Sequence, residues 1–432
     1  MGLECVATSL KEQGHEILLV DFMLEPRGTV EEYMESFKPD CVGITSQCTD
    51  VENVLRIAKA VKGYDLKVPV MVGGVQATCF PDSFFCDEVD FVFRSTNREN
   101  LAEVFSASKD SLEKRLIPGV YSKSLGFVND GEFCLNEYIP PDRSSTARYR
   151  AQYQYVGFSP CALIQTAYGC RNRCNFCIRW KLEGGNLREM PIEEIVSQIA
   201  ELAEPYVMIC DNDFLANGQR LETFCGLLAE RGIAKKFICY GSVNSILEKP
   251  ATIEALVRAG LIAVILGYEA FDDERMEEYN KSATISDNKQ ATLLLQQNHI
   301  ACWGSFILHP DWSREDFRRL IKYIRYLKPE LITFSPLVPH PMTALYEQYE
   351  DRLIYTKEEY DKWNFGDVLI RPSRMTLKAY YRQVMKLALI VNLNGHSVAY
   401  TLKNIPGRNV LRMVFGFRTL FGVYLKNMMT RK

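Results

Sequence analysis

The chain has 432 residues, enough for two or three domains, and its 47% hydrophobic and 24% charged content is that of an ordinary globular protein. No stretch reaches 18 clean apolar residues, so no transmembrane helix is expected. The net charge of −3 hides an asymmetry: no Asp or Glu follows Asp367, and the 12 basic residues beyond it leave the first 367 residues at −15. Fourteen cysteines are scattered through apolar runs with no secretory leader pattern ahead of them. Cys41, Cys79, Cys225, Cys239 and Cys302 therefore read as small buried hydrophobes in a reducing cytoplasm, not as a disulfide framework.

The first hundred residues alternate helix and strand patterns. Residues 3–13 read as a helix ended at Gly14, Ile17–Phe22 as a strand and Val30–Phe37 as a helix. Val42–Ser46 and Val68–Gly73 read as buried strands on either side of a helix at Glu52–Val61. Val89–Phe93 reads as a last strand before a helix at Glu99–Phe105. Apolar strands separated by amphipathic helices imply an α/β domain over residues 1–117 with a parallel, doubly wound, Rossmann-like (flavodoxin-like) sheet. In a sheet of order 2-1-3-4-5 the first strand is central, and this chain opens in what would be the first helix. The expectation is a domain that lacks its first strand. Residues 118–160, rich in Gly, Ser, Pro and Asn and containing Pro140-Pro141, read as a linker.

From Ala162 the alternation resumes. Strands are expected at Ala162–Ala167, Tyr206–Asp211, Phe237–Tyr240, Ala263–Gly267, Ala301–Leu308 and Leu331–Phe334. Helices near 191–203, 218–230, 251–259, 285–298 and 314–327 separate them. Six β/α steps fit a partial (β/α)6 barrel over residues 161–336, with ligands at the C-terminal strand ends. Residues 337–432 read as a helical, basic C-terminal extension.

The densest chemical signal follows the first barrel strand, in Tyr168-Gly169-Cys170-Arg171-Asn172-Arg173-Cys174-Asn175-Phe176-Cys177. Three thiolates on one short loop can hold three irons of a [4Fe–4S] cluster and leave the fourth open. A structural zinc loop would want a fourth ligand nearby, and the nearest downstream Cys and His are Cys210 and His299. Three unrelated buried thiols are the remaining alternative. The spacing C-x3-C-x2-C with Phe176 inside it resembles the radical S-adenosylmethionine (SAM) superfamily. That resemblance implies Cys170, Cys174 and Cys177 as cluster ligands. It implies Phe176, Asp211, Asp213, Asn244 and Glu269 around SAM.

Gly43-Ile44-Thr45-Ser46 and Val72-Gly73-Gly74-Val75 end adjacent strands, where small residues let a large flat ligand approach. With Gly14-His15-Glu16 and Pro39-Asp40, they resemble the cobalamin-binding domain found ahead of many radical SAM proteins. This implies cobalamin against Thr45, Ser46, Gly73 and Gly74. No Asp-x-His-x-x-Gly is present, so a protein histidine on cobalt is not expected, and Arg94-Ser95-Thr96-Asn97 stands where relatives commonly carry Gly-Glu-Gly-Glu.

Cys177-Ile178-Arg179-Trp180, Lys281-Ser282-Ala283-Thr284, His309-Pro310-Asp311-Trp312-Ser313-Arg314-Glu315-Asp316-Phe317 and Ser335-Pro336-Leu337 are similar to hopanoid C-3 methylases and related anaerobic radical SAM enzymes. One departure is Pro341-Met342-Thr343, where the usual run is Pro-Gly-Thr. The resemblance implies methylation of an unactivated carbon in a hydrophobic substrate, served by an electron donor such as flavodoxin or ferredoxin. The alternatives are a radical SAM cyclase or rearranging enzyme, and a non-catalytic remnant with a degenerate cobalamin domain. No acid–base residue stands out; His299 and His309 are candidates by type alone. The apolar and basic run from Val410 to Lys426 suits an anionic membrane surface, and equally a helix packed on the acidic body. A nucleic-acid partner is not expected.

Overall fold

The computed structural model describes residues 1–25, 28–106, 116–122, 125–127 and 138–430. The chain divides into two compact units. The first comprises Met1–Arg150, Leu182–Gly184 and Thr356–Asn364, and the second comprises the rest.

In the first unit, helices α1 (Gly2–Glu12), α2 (Val30–Phe37) and α3 (Val51–Tyr64) precede or alternate with strands β1 (Val42–Thr45) and β2 (Val70–Gly73). The short helix α4 (Val75–Cys79), strand β3 (Phe91–Phe93) and helix α5 (Arg98–Ser106) follow. Strands β4 (Val120–Ser122) and β5 (Gly126–Phe127), from the stretch expected as a linker, complete a sheet of order β1-β2-β3-β4-β5. The first three strands are parallel and the last two antiparallel. Helix α2 begins at a capping box, Thr29 with Glu32. Val51, Val54, Ala58 and Val61 form the apolar stripe of α3 and pack on Val70, Val72 and Val92 in the core. Each buried valine of this set contributes about 1.5–3 kcal/mol. The Lys62 ammonium beneath the sheet donates to Asp90 at 2.6 Å, and the same carboxylate oxygen accepts the Val70 N–H at 2.8 Å.

The expected strand at Ile17–Phe22 does not form. In a 2-1-3 arrangement that segment pairs only with the strand before α1, and the described sheet has none there. β1 is consequently an edge, with Gly43 and Thr45 exposed and Val42 and Ile44 turned toward the core. The Pro140-Pro141 region packs within this unit: Thr8 donates to Pro140 O at 2.5 Å and Lys11 pairs with Asp142 at 2.6 Å.

The second unit is built on six parallel strands: β6 (Cys161–Ile164), β9 (Tyr206–Ile209), β10 (Lys236–Gly241), β11 (Leu261–Glu269), β12 (Ala301–Leu308) and β13 (Leu331–Pro336). Their spatial order follows the chain, as in an open barrel. A short antiparallel pair, β7 (Ala167–Tyr168) and β8 (Arg188–Glu189), sits after β6. Helices α6 (Ile192–Glu201), α7 (Gly218–Glu230), α8 (Val243–Glu248), α9 (Pro250–Arg258), α10 (Asp273–Glu278), α11 (Ile285–Gln297) and α12 (Arg314–Leu327) return the chain between strands. α12 shows why: a Ser313–Asp316 capping box starts it, and Phe317, Leu320, Ile324 and Leu327 form its buried stripe.

Helices α13 (Ala344–Tyr349), α14 (Leu377–Asn392), α15 (Gly395–Asn404) and α16 (Gly407–Thr430) form the extension. One face of α16 is held down: Tyr424 is buried against Tyr381, Asn409 donates to Gly157 O at 2.7 Å, and Asn427 donates to Asp367 at 2.6 Å. Its other face exposes Leu411, Val414, Phe415 and Met429 among Arg408, Arg412, Arg418 and Lys426. Among the described residues no helix is long and apolar enough to cross a membrane, and every cysteine is free.

Candidate active site

The site starts where β6 ends. Asp211, just past β9, turns its carboxylate onto that end: Oδ1 accepts the N–H groups of Thr166 (2.6 Å) and Ala167 (3.1 Å), and Oδ2 accepts the Thr166 hydroxyl (2.5 Å). Arg220 of α7 adds bonds to Thr166 Oγ1, Thr166 O and Met190 O between 2.8 and 3.0 Å. Burial pushes the Asp211 carboxyl up to about 6 against the pull of these donors and of Arg220. Both oxygens are occupied by the strand end, which makes Asp211 a support for the loop that follows. The sequence carries no local sign of this, because Thr166 lies 45 positions away.

That loop is the cysteine run. β7 and β8 close its base, and Gly169 at φ +81° lets it turn there; a Cβ on Gly169 would sit 1.9 Å from Asn186 O. Cys174 is buried, and Cys170 and Cys177 are half-buried. Within the loop, the Cys177 N–H donates to Cys174 O at 3.2 Å and the Trp180 indole donates to the same oxygen at 3.2 Å. Outside it, Asn175 donates from its backbone to Tyr279 O (3.1 Å) and from its side chain to Glu278 O (2.8 Å). Asn280 donates to Arg173 O at 2.8 Å, and Phe176 meets Tyr279 edge-on at 5.4 Å.

The three thiols share one electrostatic neighbourhood. Burial pushes all of them up, Cys174 to about 12, and Cys170 and Cys177 push Cys174 further still. The N–H groups of Arg179 and Trp180 at Cys177, and the Lys281 ammonium near Cys170 and Cys174, favour the thiolates.

Three more residues expected at the site lie on the neighbouring strand ends. Asp213 accepts the Ser242 N–H at 3.0 Å and the Ser245 hydroxyl at 2.8 Å, tying the β9 end to the start of α8. Asn244, on the first turn of α8, donates to Ser282 at 2.5 Å. Glu269 ends β11 at φ +61°, after a register shift at Gly267, and is buried with Lys281 Nζ 3.4 Å away. A Cβ on Gly267 would fall 2.0 Å from Glu269 Oε1, so this glycine makes room for the pair. Burial works against the Lys281 charge, but the Glu269 carboxylate beside it outweighs that and holds the ammonium on. The Lys281-Ser282 run is visible in the sequence; its pairing with Glu269 is not. His299 precedes β12 at the opposite strand ends, which removes it as an acid–base candidate.

In the first unit, the ends of β1 and β2 meet. Ser46 donates to Gly73 O from its N–H (2.8 Å) and its hydroxyl (2.7 Å), and the Gln76 N–H returns to Ser46 O at 3.2 Å. Gly74 sits at φ +97°, and a Cβ there would come within 2.7 Å of Ser46 and Thr45 Oγ1. Gly74 is thus needed for the two loops to pack. Thr45 and Gly43 remain exposed, and a Cβ on Gly43 would meet nothing within 4 Å.

These two arrangements match known families. Residues 164–324 match the radical SAM superfamily and residues 1–105 match the B12 binding domain. The chain couples a B12-binding domain to a radical SAM domain. It is 25% identical to the hopanoid C-3 methylase of Methylococcus capsulatus over 99% of this chain and 84% of that one. It is 24% identical to the anaerobic magnesium-protoporphyrin IX monomethyl ester cyclase of Cereibacter sphaeroides over 83% of this chain and 62% of that one. Among solved structures, the radical SAM methyltransferase TsrM of Kitasatospora setae, with cobalamin and a [4Fe–4S] cluster bound, superposes with a TM-score of 0.72 at 15% identity, over 98% of this chain and 96% of that one.

The cofactors of this B12-binding radical SAM protein are a [4Fe–4S] cluster, SAM and cobalamin. The residues present fit the cluster: three clustered thiols, N–H donors aimed at Cys177 and a buried ammonium together compensate thiolate charge. The open face at Gly43 and Thr45, beside tightly tied small-residue loops, fits a broad planar ligand.

Proposed function

We propose that the protein is a cobalamin-dependent radical SAM methyltransferase that methylates an unactivated carbon of a hydrophobic substrate, of lipid, isoprenoid or secondary-metabolite class. The observation that carries this reading is the presence, in one chain, of the braced three-cysteine loop at the first barrel strand and the B12-binding domain. Bound, the three cofactors would supply one-electron cleavage of SAM, hydrogen abstraction from carbon and methyl delivery, chemistry that polar side chains cannot perform.

The chain's own residues do the rest. Cys170, Cys174 and Cys177 hold the cluster, and the loop's hydrogen bonds set their spacing. Asp213, Asn244 and Glu269 offer acceptors and a donor for the ammonium and hydroxyl groups of SAM, with Phe176 alongside; each Asp213 oxygen takes one internal hydrogen bond and keeps a lone pair for another donor. Asp211 supports the loop from behind. Thr45, Ser46, Gly73 and Gly74 provide the cobalamin surface in the first unit. Met342 stands where the usual run has glycine, a change that would reshape the substrate pocket, and its backbone carbonyl accepts from Lys181 at 2.6 Å.

A reductant of flavodoxin or ferredoxin type would feed the cluster. The exposed apolar and basic face of α16 supports peripheral contact with an anionic membrane, where a lipid substrate would reside. The cyclase relative keeps a second reading open, oxidative ring closure without methyl transfer. Anaerobic reconstitution with a one-electron donor and methyl-labelled SAM separates the two. The methyltransferase forms 5′-deoxyadenosine and passes label to cobalamin, whereas the cyclase forms 5′-deoxyadenosine and leaves cobalamin unlabelled.

A further inference from the structure

His309 is 1% exposed and lies just past β12, at the strand ends that carry the chemistry. Its Nδ1 accepts the Asp311 N–H at 3.1 Å, which assigns the ring proton to Nε2. Nε2 lies 2.9 Å from the Tyr349 hydroxyl and 3.3 Å from Glu278 Oε1, and that hydroxyl lies 3.3 Å from the same carboxylate oxygen. The other Glu278 oxygen takes Arg275. A consistent donor order therefore runs from the His309 imidazole to the Tyr349 oxygen, and from the Tyr349 O–H to the Glu278 carboxylate.

This network meets the cysteine loop through the backbone of Glu278 and its neighbours. Glu278 O and Tyr279 O hold Asn175, Asn280 holds Arg173, and the Tyr279 ring carries Phe176. Rings continue the contact, with Tyr279 and His309 at 6.4 Å and His309 and Tyr349 at 6.1 Å. On the far side, the extension fixes the turn that carries His309: the Tyr380 hydroxyl sits 3.0 Å from Leu308 O and 3.1 Å from His309 O, and Arg352 clamps both Asp311 oxygens.

We propose that His309, Tyr349 and Glu278 are positioning residues for the cluster, a buried brace through which the C-terminal extension fixes the cysteine loop without supplying a ligand to it. The proposal rests on the cluster reading of Cys170, Cys174 and Cys177. It also gives the helical extension a task independent of substrate binding. A stiff loop holds three thiolates at the spacing a cube requires, and a slack one lets a ligand swing away.

The test is iron release from reconstituted full-length protein to a ferrous-iron chelator under anaerobic conditions, beside thermal melting of the metal-free protein. Tyr349→Phe keeps the ring and removes the hydroxyl, and should speed iron release about fivefold, the worth of one buried hydrogen bond. His309→Ala should speed it more, and His309→Gln, whose amide N–H can replace Nε2–H, should restore most of the retention. Asn175→Ala removes the side-chain link from the loop to Glu278 O, one of several between brace and loop, so Tyr349→Phe should add less than its full effect in that background. If Tyr349→Phe and His309→Gln melt like wild type yet neither they nor His309→Ala alters iron release, the brace is refuted. Full additivity of Tyr349→Phe with Asn175→Ala refutes it as well. Wild type that takes up no iron and sulfide overturns the cluster reading instead, so the two failures are distinguishable.

Discussion

Asp211→Ala should destabilise the barrel unit while leaving every cysteine in the chain. The carboxylate accepts three hydrogen bonds, from the Thr166 and Ala167 N–H groups and the Thr166 hydroxyl, and Thr166 and Ala167 are 0% and 6% exposed. Truncation strands these donors where water cannot replace the acceptor, at about 1–3 kcal/mol each. Taking about 1.5 kcal/mol apiece gives a loss of roughly 4–5 kcal/mol. At about 2–4 °C per kcal/mol for a unit of this size, the melting transition should fall by roughly 10 °C or more. Asp211→Asn should fall much less, because one amide oxygen can still take both N–H groups. Calorimetry of the metal-free protein provides the measurement. A drop of under about 2 °C for Asp211→Ala would refute the support role, since that is less than one lost buried hydrogen bond is worth. It would return Asp211 to the residues free to face SAM.

Three further outcomes follow from the same geometry. Thr45→Trp, on the exposed end of β1, should abolish cobalamin uptake in visible-absorbance titrations while iron and sulfide content stay at wild-type level; Gly74→Ala is the poorer probe, because it breaks the Ser46 contact itself. Burial pushes the Glu278 carboxyl up, but hydrogen bonds from His309 and Arg275 outweigh it and hold it down to about 2 from its ordinary 4.5. Its contribution is therefore complete above about pH 4.5 and fades as pH falls toward 2, so the stability gap between wild type and Glu278→Gln should close as denaturation is measured from pH 6 down toward about 3. Reversing Arg412, Arg418 and Lys426 to Glu should weaken binding to anionic liposomes and leave cluster content unchanged, whereas equal binding of wild type to neutral and anionic vesicles would remove the membrane reading.

The barrel was legible because strands covered on both faces read as unbroken apolar runs, and Ala301–Leu308 forms over the residues expected. The three-cysteine loop was legible because its chemistry is compressed into eight residues. Ile17–Phe22 misled because an apolar run states a capacity to pair and says nothing of whether a partner strand exists. The roles of Asp211 and His309 were not legible for a related reason. Each is bonded to residues tens of positions away, Thr166 in one case and Tyr349 and Glu278 in the other, whereas the family resemblance made Asp211 a SAM contact and residue type alone made His309 an acid–base candidate. For the extension, the sequence weighed membrane docking against packing on the body. The helix packs one face, burying Tyr424 and Asn409, and leaves Phe415 and Leu411 exposed among arginines.

The central claim is that Cys170, Cys174 and Cys177 hold a [4Fe–4S] cluster that cleaves SAM. Its most direct test is 5′-deoxyadenosine formation by anaerobically reconstituted protein given SAM and a one-electron donor, compared with the variant in which all three cysteines are Ala. Wild type should form 5′-deoxyadenosine and carry about four irons and four sulfides per chain, and the variant should form none. A triple variant that still releases 5′-deoxyadenosine would contradict the claim.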